Sequence, residues 1–175
     1  MRIRGIHHVT LAVPDAEEAR ATFEALFDTA GEPARAVPAF GIRASTIGIG
    51  DATLEFASPV DADNPVRRFI ERKGEGFYAL ALEVDDIDAA VRELAAKGVK
   101  VSEPVESEPG VRSAFVTMAA THGLSIQLVE VVGGEEEAPV TTVVEARAEH
   151  LVPEEAAAAD APPLDLTPDE WSDVD

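Results

Sequence analysis

A segment of this chain occurs twice. Gly5-Ile6-His7-His8-Val9-Thr10-Leu11-Ala12-Val13 runs into Pro14-Asp15 and a helical pattern. Gly76-Phe77-Tyr78-Ala79-Leu80-Ala81-Leu82-Glu83-Val84 runs into Asp85-Asp86 and another, at an offset of 71 residues. A second pair lies at an offset of 72, with Thr53-Leu54-Glu55-Phe56-Ala57 against Ser125-Ile126-Gln127-Leu128-Val129. A period this long marks a duplicated half-domain rather than a short solenoid repeat. Matched positions should then be related by a pseudo-twofold axis. His8 corresponds to Ala79, and Glu55 to Gln127. The first copy thus carries two possible metal ligands where the second has an alanine and a neutral amide.

The pattern inside each copy sets the elements. Residues 3–13 alternate with the period of a strand, placing Val9, Leu11 and Val13 on one face and His8, Thr10 and Ala12 on the other. His7 falls on the face opposite His8 and is expected to be peripheral. Pro14-Asp15 opens a helix over about 15–28, with Glu17 and Glu18 in its first turn and Ala19, Phe23, Leu26 and Phe27 as its apolar stripe. Strands are expected at 41–49 and 52–58 around the hairpin signal Gly50-Asp51. Asn64-Pro65 starts a short helix through Arg72. The second copy predicts a strand at 77–84, a helix at 86–97 with stripe Ile87, Val91 and Leu94, and strands at 99–103, 112–118 and 124–131. Asp85 or Asp86 can cap that helix. Two βαβββ units of this kind give an α+β fold, one curved mixed sheet forming a cup with helices on its outer face.

Residues 1–131 are therefore expected to form one domain, with halves at about 3–58 and 76–131. From 132 to 175 the apolar period is lost, and an acidic, flexible tail is expected there. Its final segment, Leu164-Asp165-Leu166-Thr167-Pro168-Asp169-Glu170-Trp171, sets apolar residues in an acidic frame. It reads either as a solvated tail or as a docking motif.

The net charge is −20. Residues 132–175 hold 13 acidic residues against Arg147 alone, and the remainder is also acidic. Arginine outnumbers lysine 11 to 3. Acid excess with little lysine suits a protein bathed in high salt, where self-repulsion is screened. A halophilic source is one reading, an ordinary acidic cytoplasmic protein the other. A nucleic-acid partner is not expected, because the phosphate contribution needs a basic face. No apolar run is long enough to span a membrane. Met1-Arg2-Ile3-Arg4-Gly5 carries no signal-peptide core, so a cytoplasmic location is expected. Without cysteine there is no disulfide, thiolate metal site or cysteine nucleophile.

The motifs together resemble the vicinal oxygen chelate superfamily, which includes glyoxalase I, extradiol dioxygenases and methylmalonyl-CoA epimerases. The likeness is greatest to the epimerases. It is carried by Ile6-His7-His8-Val9-Thr10-Leu11-Ala12-Val13, Gly50-Asp51-Ala52-Thr53-Leu54-Glu55, Asn64-Pro65, Phe69-Ile70-Glu71-Arg72-Lys73-Gly74-Glu75-Gly76, Leu82-Glu83-Val84-Asp85-Asp86-Ile87 and Ser125-Ile126-Gln127-Leu128-Val129-Glu130. It spans about 3–131 and none of the following segment. The resemblance implies a homodimer and a divalent ion (Co, Mn, Ni or Zn) in the cup. It puts the ligand positions at His8, Glu55, Ala79 and Gln127. The family has histidine where this chain has Ala79, and glutamate where it has Gln127. That glutamate moves a proton in the family, as does a second one just before a strand-entry glycine. Here the latter stretch reads Val37-Pro38-Ala39-Phe40-Gly41, without a carboxylate.

The candidate metal ligands are therefore His8, Glu55 and Gln127, and the candidate catalytic group is Glu55. One imidazole, one carboxylate and one amide make a weaker cage than two imidazoles and two oxygen ligands. A carboxylate on the inner face of a strand is costly to desolvate unless a cation or a wet cavity meets it. His122 reads as a turn residue away from the site. Arg43, Arg67 and Arg68 could meet a ligand anion, although surface ion pairs are the commoner fate of arginine. The sequence names no substrate-binding residue. The expected function is a metal-dependent isomerase or lyase acting on a small acyl or carbonyl compound. The alternatives are a small-molecule-binding cup of the same fold without its metal, and a structural partner acting through the tail.

Overall fold

The computed structural model describes residues 1–50 and 52–132. The expected acidic tail, and its docking motif, lie outside the described residues. The chain forms two βαβββ halves. The first holds β1 (Ile3–Ala12), α1 (Ala16–Phe27), β2 (Gly31–Val37), β3 (Ile42–Ile49) and β4 (Ala52–Pro59). After the linking helix α2 (Pro65–Lys73) come β5 (Gly76–Val84), α3 (Ile87–Ala96), β6 (Val105–Glu108), β7 (Val111–Val116) and β8 (Ser125–Val131).

All eight strands make one mixed sheet in the order β2-β3-β4-β1-β5-β8-β7-β6. The duplication is visible in its registers. β1 and β5 run antiparallel at the centre, where the pairs His8 with Ala81 and Thr10 with Ala79 exchange under the 71-residue offset. Thr10 pairs with Glu55 across the parallel β1–β4 ladder, and Ala81 pairs with Gln127 across β5–β8. Glu55 and Gln127 are thus images of each other beside the central strands.

Local chemistry starts the helices as the sequence implied. The Asp15 carboxylate accepts from the Glu17 and Glu18 amides at 2.8 and 3.1 Å, and Asp86 accepts from Ala89 at 2.7 Å. Ala19 and Phe23 pack on Val13, Ile47 and Phe56, with the Phe23 and Phe56 rings 4.9 Å apart. The last turn of α1 departs from expectation. Leu26 and Phe27 are 69% and 64% exposed, so the apolar stripe runs past the edge of the sheet it covers. On the other half, Ile87, Val91 and Leu94 pack with Ala114, Val116 and Leu128. The helix α2 differs from both. Its Val66 packs with Ala12, Val37, Ile42 and Ala57, and Asn64, Pro65 and Val66 form part of the cavity wall.

Two strands depart from the sequence reading. β2 went unforeseen, because Pro33 and the polar residues Glu32 and Arg35 mask its alternation; proline is tolerated here because β2 is an edge strand. The strand expected at 99–103 reduces to a single bridge between Val101 and Val116, and the edge strand forms instead at 105–108.

The curl of the sheet brings its two ends together without pairing them. Arg35 on β2 forms an ion pair with Glu108 on β6. Phe40 meets Phe115 edge to face at 5.4 Å. This seam is built from side chains, while every other strand boundary around the cup is a backbone ladder.

Candidate active site

The cup encloses a cavity of about 940 Å³, within the range of small-molecule sites. β4 and β8 give alternate residues to it, Thr53, Glu55 and Ala57 from the first and Ser125, Gln127 and Val129 from the second, and β7 adds Ser113 and Phe115. This period-two projection makes Glu55 and Gln127 cavity residues while Leu54 and Phe56 pack under α1.

The polar centre lies beside β1. His8 Nε2 is 3.7 Å from Glu55 Oε1, too far for a hydrogen bond. Thr10 Oγ1 donates to the same Glu55 oxygen at 3.1 Å. His8 Nδ1 lies 2.8 Å from His7 Nδ1, with the rings edge to face at 5.0 Å. His8 is 8% exposed; its buried Nε2 makes no well-formed hydrogen bond, and the Gln127 side chain is the polar group that lies against the imidazole. Opposite, Gln127 Nε2 donates to Ser113 Oγ at 3.0 Å, and Ser113 meets Ser107 Oγ at 3.2 Å. That arrangement ties down the amide nitrogen and leaves the Gln127 carbonyl oxygen for other contacts.

Burial sets the charge states. It lowers the His8 imidazole to about 4, against the opposing pulls of the Gln127 side chain and the Glu108 charge. His7 is also lowered, by burial first and by His8 second. Burial raises the Glu55 carboxyl above its ordinary range, and the Thr10 hydrogen bond and the Arg35 charge act the other way. A carboxyl with raised affinity for its proton, next to an unpartnered imidazole nitrogen, can hold a cation or move a proton.

A profile of the glyoxalase/bleomycin resistance protein/dioxygenase superfamily matches residues 7–115. The chain belongs to this superfamily. Human mitochondrial methylmalonyl-CoA epimerase is 31% identical over 103 residues, covering 58% of each chain. The match thus spans little more than half the length of that curated relative. Methylmalonyl-CoA epimerase from Mycobacterium tuberculosis superposes with a TM-score of 0.68 at 25% identity, covering 73% of this chain and 88% of that one. A methylmalonyl-CoA epimerase solved with methylmalonyl-CoA and NH4+ superposes at 0.71 and 24% identity, covering 75% and 97%. This second likeness is one of fold.

Against this superfamily background, the sequence-derived residues separate into two groups. His8, Glu55 and Gln127 all line the cavity, with Ala79 buried among them. His122 does not line it; it sits in a turn with a φ of 55°. Nor do Arg43, Arg67 and Arg68. Arg43 donates to the Ala34 carbonyl, Arg67 to the Asp61 carbonyl, and Arg68 pairs with Asp63.

The peripheral placement of His7 is corrected. His7 lines the cavity. Between the pairs Ile6–Leu82 and His8–Ala81, β1 advances two residues while β5 advances one, leaving His7 as the extra residue of a β-bulge. A bulge breaks the two-residue period and re-aims a side chain. Arg35 and Glu108 also line the cavity without having been foreseen. Both sit on edge strands with weak alternation, and only the curl of the sheet makes them neighbours.

The ion implied by the superfamily can be tested against these donors. Among the described residues, no three His, Cys, Asp or Glu side chains converge. A site here would need the Gln127 carbonyl oxygen as its third donor. The buried lone nitrogen of His8, with Glu55 on one side and Gln127 on the other, fits that reduced set.

Proposed function

We propose that the chain is an isomerase or lyase that moves a proton at the carbon beside the carbonyl of an acyl thioester. The observation that carries this reading is the His8–Glu55 pair: a carboxyl with raised proton affinity facing an unpartnered imidazole nitrogen in a cavity of about 940 Å³. The acyl-CoA class comes from the relatives named methylmalonyl-CoA epimerase.

His8 Nε2, Glu55 and the Gln127 carbonyl oxygen would hold a divalent ion, which when bound supplies positive charge against the oxyanion of an enolate. Thr10 anchors Oε1 of Glu55, leaving Oε2 to receive the substrate proton and return it. Ser113 orients Gln127. Phe40 and Phe115 close the wall and limit water.

The test is solvent exchange. Methylmalonyl-CoA is incubated with the protein in D2O, with Co2+ or Mn2+ supplied, and deuterium at the carbon between the two carbonyl groups is followed by proton NMR. Exchange is expected, reduced about 100-fold or more in Glu55→Gln. Saturable binding of the thioester without exchange would leave a binding cup in place of an enzyme.

A further inference from the structure

We propose that Arg35 is a specificity-determining residue that pairs with a carboxylate carried by the acyl group of the ligand, exchanging its ion pair with Glu108 for that carboxylate. The inference deepens the function proposed above and rests on it for the thioester, while the placement of Arg35 stands alone.

The register of the sheet brings Arg35 level with the inner face of β4. Arg35 and Val37 are alternate residues of β2, and both line the cavity. Arg35 pairs with Ala44 on β3, and Ala44 pairs with Ala57 on β4. Ala57 lines the cavity two residues beyond Glu55, about 7 Å along the same strand. At that level β3 and β4 carry only alanine side chains. A substituent of the carbon that Glu55 serves can therefore turn toward β2 without meeting a larger residue there.

Charge and donor geometry set the ligand class. The chain carries a net charge of −20, and Glu55 and Glu108 both line the cavity, so an anionic group needs a cation on the wall. Among the described residues, the lysine and arginine side chains that line it are Lys100 and Arg35. Lys100 is exposed on the connection between α3 and β6, whereas Arg35 is held in a strand. Nη1 of Arg35 donates to Glu108 Oε1, and its Nε and Nη2 meet no acceptor among the described residues. A guanidinium edge of this kind binds a carboxylate through two parallel hydrogen bonds. The Arg35 side chain is about half exposed and that of Glu108 about one third. Ion pairs so exposed contribute little, and their exchange for a ligand costs little.

The experiment is a comparison of two ligands by isothermal titration calorimetry. The full chain, freed of metal by chelation so that no ion holds the carboxylate, is titrated with methylmalonyl-CoA and with isobutyryl-CoA, in which a methyl group replaces the carboxylate. The unaltered protein should bind the first about 10-fold or more tighter. Arg35→Met should abolish that preference and leave the affinity for isobutyryl-CoA unchanged, which also shows that the variant is folded. Glu108→Gln frees the guanidinium and should widen the preference. A role confined to the seam predicts the same response from both variants, because either one breaks the ion pair. Equal affinities in the unaltered protein, or a preference that survives in Arg35→Met, would overturn the inference. So would an equal weakening of both thioesters in Arg35→Met, which would assign the guanidinium to a phosphate of the CoA carrier. Binding of neither thioester would overturn the thioester reading and this inference with it. A preference that depends on Arg35, in a protein that shows no solvent exchange, removes the isomerase and leaves the assignment of Arg35 supported.

Discussion

His8 and Glu55 carry opposite pH signatures. His8 titrates at about 4 in the fold, against an ordinary value of 6.5. The unfolded chain therefore takes up this proton first, and the contribution of His8 to stability is lost as pH falls from 6.5 through about 4. Glu55 is raised above 4.5, so its contribution is present below that pH and is lost as pH rises through its folded value. In metal-free protein at pH 7.5, Glu55→Gln is expected to melt at a higher temperature than the unaltered chain. The gain should shrink toward pH 4, where the carboxyl is already protonated. Differential scanning calorimetry at the two pH values checks this. The same residues show what a sequence can reveal. Glu55 and Gln127 were legible as cup residues because each sits in an unbroken stretch of strand alternation, and His8 because it keeps the alternation of Thr10 and Ala12 beyond the bulge. His7 was not, because the bulge that turns it inward depends on the register with β5, 70 and more residues away.

At the scale of the element, Asn64 links pieces that are distant in sequence. Its side-chain oxygen accepts from the Val66 amide at 2.8 Å and starts α2. Its amide nitrogen donates to the Phe40 and Gly41 carbonyls at 2.8 and 2.9 Å. It is 4% exposed and lines the cavity. Asn64→Ala removes a helix cap and leaves acceptors unpaired, a loss of about 2–3 kcal/mol. The urea midpoint should fall while the slope of the transition is unchanged. Asn64→Asp keeps the cap but loses the donors, and should lie between the two. Helix starts were legible because capping is local, as at Asp15, Asn64 and Asp86. The edge strands were not. β2 contains a proline, and β6 has four residues, Val105 to Glu108, whose pairing is settled by β7 rather than by their own pattern.

At the scale of the whole molecule, charge and topology make separate predictions. A net charge of −20 repels itself, and salt screens that repulsion. We propose a high-salt habitat, and expect the melting temperature to rise between 0.1 and 2 M KCl; a flat response would remove this support. The seam predicts a different behaviour. Arg35 and Glu108 are about half and one third exposed, so Glu108→Gln should cost less than about 1 kcal/mol. Its signature should instead be faster amide hydrogen exchange in β2 and β6, with β1 and β5 unaffected. The curved sheet itself was legible from the duplication, since two βαβββ copies related by a twofold can share one sheet. Where its ends would meet was not, because that depends on the accumulated twist of eight strands.

A closed barrel has a circumference fixed by its hydrogen-bond ladders. This sheet is instead a split ring, its free edges β2 and β6 bridged by the Arg35–Glu108 ion pair, with Phe40 after β2 and Phe115 on β7 meeting beside it. Its girth can change by exchanging side-chain partners, without breaking a single bond between backbones. An exchange of partners there would alter the width of the ring while the β1–β4 ladder that carries Thr10 and Glu55 stays paired.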